Sequence, residues 1–71
     1  MEELLKVAEQ FEALAWELEQ ARAHALTAAE HFRSAAVPRG TAHAFACQGH
    51  LKLAQNTLDT LAINHAQHAK P

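Results

Sequence analysis

In LLKVAEQFEALAWELEQARAHALTAAEHF, residues 4–32 of a 71-residue chain, nine positions step alternately by three and four: Leu4, Val7, Phe11, Leu14, Leu18, Ala21, Ala25, Ala28 and Phe32. All nine are apolar, the pattern of one continuous helical face. Strong helix formers fill the stretch and no Gly or Pro precedes Pro38, so a helix is expected from about residue 2 to about residue 34. Its acids crowd the N-terminal end and Arg33 falls in the last turn, which suits the helix dipole. Met1, Ala8, Ala15 and Ala29 line the adjacent column, and a face that wide belongs to a bundle rather than to a two-stranded coil.

Outward from this stretch, residues 35–40 are expected to form the turn. Pro38 disfavours helix at Val37 and Gly40 permits a reversal. Thr41 is then placed to cap a second helix over about residues 41–68. There Ala44, Cys47, Leu51, Ala54, Leu58, Leu61, His65 and His68 repeat the three-four step. A short loop makes the helices antiparallel neighbours. Folding about Pro38 pairs Phe32 with Ala44, Ala28 with Cys47, Ala25 with Leu51, Leu18 with Leu58, Leu14 with Leu61 and Phe11 with His65. A second stripe, from Ala42 through Gly49, Leu53 and Ile63, marks helix two as covered on two sides. The expected fold is therefore all-α: one domain over residues 1–71, an antiparallel two-helix hairpin dimerising into a four-helix bundle.

Seventy-one residues lie near the lower limit for a self-sufficient core, so added stability from association or metal is expected. The single cysteine, Cys47, excludes an intrachain disulfide and fits a reducing, cytoplasmic setting. The N-terminus begins with the acids Glu2 and Glu3, so no basic and apolar leader is expected, and no apolar run reaches membrane length. The net charge of −2 is uneven, with seven acids against three bases up to Arg33. That balance argues against a nucleic-acid partner, which calls for a basic stripe.

Two groups of residues could carry chemistry. His24 and His31 lie seven apart on helix one, His43 and His50 seven apart on helix two, and the hairpin register brings His31 near His43 and His24 near His50. With Cys47 these four supply the imidazole and thiolate donors that zinc or another transition metal prefers, although no compact ligand motif accompanies them. Equally, they read as polar residues at the edge of the seam. Cys47 beside His43 or His50 also reads as a Cys–His nucleophile pair, but its place on the inner seam opposite Ala28 makes it a small core residue and no oxyanion-stabilising loop accompanies it, so catalysis is not expected. His65 and His68 mark the fraying end of helix two, before the tail ending at Lys70 and Pro71.

Trp16 stands on the side of helix one away from the seam, among Glu9, Glu12 and Glu19. A large aromatic with a polar N–H set among acids is a candidate anchor for a partner protein. The expected function is thus non-catalytic, an accessory or regulatory protein that self-associates and binds another macromolecule through Trp16, Glu9, Glu12 and Glu19. The alternative is a metal-binding bundle using His24, His31, His43, Cys47 and His50.

In helix count and heptad pattern the chain resembles the Rop type of dimeric helical hairpin, which binds paired RNA loops. The resemblance implies the architecture alone. Helix one is acidic where an RNA-binding face needs Lys and Arg, so RNA binding is not implied.

Overall fold

The computed structural model describes residues 1–69 and contains two α-helices, α1 (Glu2–Arg33) and α2 (Val37–His68), packed against each other as an antiparallel hairpin. Lys70 and Pro71, the expected polar tail, lie outside the described residues. α2 ends where the sequence suggested. It continues to His68, whose ring Nδ1 approaches the Asn64 carbonyl oxygen at 2.8 Å. Among the described residues no helix is long and apolar enough to cross a membrane.

The connection is shorter than the sequence suggested. The expected turn over 35–40 contracts to Ser34–Ala36, and the reversal occurs at Ala35, whose φ of 59° is left-handed. The Ala36 amide donates to the His31 carbonyl at 2.8 Å and the Ala35 amide to Phe32 at 3.0 Å. These two bonds are a Schellman motif, which satisfies carbonyls left open at the end of α1. Pro38 falls in the first turn of α2, where its missing N–H would have had no helical partner anyway. Gly40 is helical rather than part of the turn. Ala36, not Thr41, occupies the N-cap, with no side-chain bond.

The interface is also rotated from the expected seam by about one heptad column. α1 turns Leu14, Glu17, Ala21, His24, Ala28 and His31 toward α2, which answers with Gly40, His43, Cys47, His50, Ala54, Thr57 and Leu61; all are buried or half-buried. Both sets keep the three-four step. Glycine and alanine at the contact let two backbones approach, whereas Leu4, Phe11, Leu18, Phe32, Leu51 and Leu58 are left exposed.

The hairpin is consequently a slab of one helix thickness, with extents of 53 × 24 × 13 Å. No described side chain is fully buried, and the buried apolar residues are Leu14, Ala21, Ala28 and Ala54. Its two broad flanks differ. One carries two grooves with apolar floors and polar rims, in which Leu18, Leu51 and Leu58 meet beside Gln48, Lys52 and Gln55, and Leu4, Phe11, Leu58, Leu61 and His65 meet beside Glu3, Lys6 and Gln10. Leu18 and Leu58 line one of these grooves and Phe11 and His65 the other, whereas Phe32, expected opposite Ala44, lies over Gly40, one turn nearer the connection, because the turn is shorter than expected. The other flank carries Ala13, Trp16, Leu53 and Thr57, and then Asn56 and Thr60.

Candidate functional site: a histidine column between the helices

Residues seven apart share one column of a packed helix. Glu17, His24 and His31 therefore line up on α1, and His43 and His50 on α2. Because the helices are antiparallel, the two columns interleave. From the turn downward the rings follow one another as His31, His43, His24 and His50, with centroid separations of 5.3, 5.2 and 5.5 Å. The outer two contacts are stacked, with interplanar angles of 21° and 13°, and the central one is tilted by 30°. The expected proximities of His31 to His43 and of His24 to His50 are both present.

Two polar contacts order the column. The Nδ1 atoms of His24 and His43 lie 2.9 Å apart, part-buried. A hydrogen bond between two ring nitrogens needs one to donate and the other to accept, so this pair holds one proton between its facing atoms. At the lower end His50 Nδ1 lies 3.3 Å from Glu17 Oε2, with the two side chains 23% and 16% exposed. Glu17 was missed as a site residue. The signal was available, since it precedes His24 by the same seven residues that separate His24 from His31.

The five candidate metal residues, His24, His31, His43, Cys47 and His50, are all placed at the contact of α1 with α2. Among the described residues no three His, Cys, Asp or Glu side chains could hold one ion. The outer pairs, His31 with His43 and His24 with His50, present ring faces to one another, and only His24 and His43 turn ring nitrogens toward a common point, two donors where a structural site uses four. Cys47, a half-buried free thiol, sits between His43 and His50 on α2.

Trp16 stands nearer α2 than the sequence suggested. Rotation of the interface brings its ring edge-on to His50 at 6.1 Å and 79°, at the rim of the column. It remains 56% exposed. Glu9, Glu12 and Glu19 are exposed too, one or two turns away along α1.

Compared with protein-family models, curated proteins and solved structures, the chain matches none.

Proposed function

We propose that this chain is a non-catalytic accessory protein that acts as a homodimer, two hairpins burying their apolar flanks in an antiparallel four-helix bundle while Trp16 stays outside to bind a basic protein partner. The observation that carries the reading is the uncovered flank of a slab with no fully buried side chain, on which Phe11, Leu18, Leu51 and Leu58 are each 41–49% exposed. Covering each contributes on the order of 1 kcal/mol, which a chain this short needs.

A second copy is the occupant that fits. Both helices have 32 residues, so the flank is close to rectangular, and a two-fold axis through its centre lays one hairpin over the other end to end. Its outline of 53 by 24 Å accommodates the ~800 Å² per partner of a standard interface.

In that arrangement Trp16 lies on the opposite flank, with Glu12 and Glu19 one turn away along α1 and Glu9, two turns away, at the edge of the groove that holds Phe11. An exposed indole among carboxylates suits a partner that presents Lys or Arg, through charge attraction and cation–π contact. Native mass spectrometry tests the first part, with a metal-free dimer expected at micromolar concentration. A folded monomer at that concentration would overturn it.

A further inference from the structure

We infer that the column His31, His43, His24, His50 is a proton-binding device that holds the hairpin closed at neutral pH and opens it on acidification. The inference concerns the contact of α1 with α2 and does not depend on the dimer.

The geometry makes the neutral form the closed one. The 2.9 Å contact of His24 with His43 requires a bare nitrogen on one ring. One extra proton is tolerated, because a cationic ring can still donate to a neutral neighbour. A second leaves two N–H groups facing each other, removing the acceptor and adding like charge. The flanking rings compound this, since His31 stacks on His43 at 5.3 Å and His50 on His24 at 5.5 Å. Imidazole ordinarily changes charge between pH 5 and 8, so four cations can accumulate there at spacings too short for salt to screen fully.

The countercharge is at one end only. Facing the column, α1 contributes Glu17 beside its own His24 and His31, and α2 contributes Cys47 beside His43 and His50. Glu17 against His50 is the only ion pair among the described residues. Glu30, Arg33 and Arg39, next to the turn, are exposed. A cationic His50 is therefore matched, whereas His24, His31 and His43 have no carboxylate in contact. A second proton on the facing His24–His43 pair therefore removes the acceptor of the 2.9 Å contact and sets like charges together across the α1–α2 interface, which works against the closed hairpin.

Opening also dismantles the outer surface. Trp16 packs on His50, so parting the helices removes the neighbour that fixes the indole.

The test is thermal unfolding followed by circular dichroism at pH 8 and pH 5, at constant ionic strength with EDTA present. The unaltered chain is expected to lose roughly 10 °C in Tm at the lower pH. The double variant His24→Gln, His43→Gln, which retains hydrogen-bonding groups without the charge, is expected to lose much less. His65→Gln with His68→Gln, outside the column, is expected to respond like the unaltered chain. Superimposable melts of the unaltered chain, or an equal acid response in the first variant, would overturn the inference. Should that variant not fold at pH 8, hydrogen exchange on the unaltered chain decides. Lower protection factors at pH 5, taken relative to the intrinsic exchange rate at each pH and concentrated in residues 17–31 and 40–50, support the device, and loss of protection beginning at the helix ends overturns it.

Discussion

The ring of Phe32 lies over Gly40 so closely that a Cβ on the glycine would come within 2.8 Å of it. The glycine is buried and helical, so it serves close approach rather than chain reversal. Gly40→Ala brings two opposed effects: a helix-propensity gain of about 1 kcal/mol, and displacement of a ring that is 48% exposed and can swing outward. The expected net change is within about 1 kcal/mol. Gly40→Leu has no such escape and is expected to cost roughly 1–3 kcal/mol in urea unfolding. Adding Phe32→Ala is expected to recover part of that loss, since contacting residues couple. Purely additive costs would contradict the steric account.

Ala35 offers the opposite case. Its left-handed backbone, φ 59°, costs a residue with a Cβ about 1–2 kcal/mol, while glycine in the unfolded chain gives back part of that through its greater freedom. Ala35→Gly is therefore expected to stabilise the hairpin by about 0.5–1 kcal/mol, and Ala35→Val to destabilise it. Urea midpoints of the two variants check the order. A less stable glycine variant would mean that the turn is not limited by this residue.

These two positions show which part of the fold could be read from the chain. Helix content, antiparallel pairing and the approach of His31 to His43 follow from spacing, because a hairpin register fixes neighbours to within about one helical turn, the distance by which Phe32 shifts from Ala44 to Gly40. The rotation of the interface did not. Each helix offers two adjacent columns at three-four spacing, and the one with larger apolar residues looks like the seam. Between only two helices the contact keeps the column common to both, Leu14, Ala21, Ala28, Cys47, Ala54 and Leu61, and joins to it the column of Glu17, His24, His31, His43 and His50, so that Leu18, Leu51 and Leu58 are left on the flank. The turn misled for a related reason, since Pro38 and Gly40 punctuate many loops whereas here an alanine takes the position glycine usually fills.

The two flanks have separable roles under the proposed function. Leu18→Asp with Leu58→Asp is expected to convert the dimer to monomer, read by sedimentation equilibrium, because it buries carboxylates in the bundle core. Trp16→Ala is expected to leave subunit number unchanged and to weaken binding of a Lys-rich amphipathic peptide by tenfold or more, a loss within the range of an interface hot spot. If Trp16→Ala dissociates the dimer instead, the indole belongs to the subunit contact.

Glu17 provides the most selective probe of the column. Its carboxylate lies 3.3 Å from His50 Nδ1, and the contact is an ion pair only when the imidazole is cationic. At pH 8 Glu17→Gln retains a hydrogen-bonding oxygen of the same reach, and the expected change is within about 0.5 kcal/mol. Near pH 5.5, within the range where imidazole acquires charge, the same substitution removes the one countercharge in contact with the column. There it is expected to cost on the order of 1 kcal/mol, near the top of the range for partly exposed pairs. The sign follows from charge: a carboxylate attracts a cationic ring at this distance and is only a hydrogen-bond acceptor for a neutral one. Melting Glu17→Gln and the unaltered chain side by side at both pH values measures this difference. An equal loss at pH 8 and pH 5.5 would make Glu17 a packing residue rather than the counterion of His50.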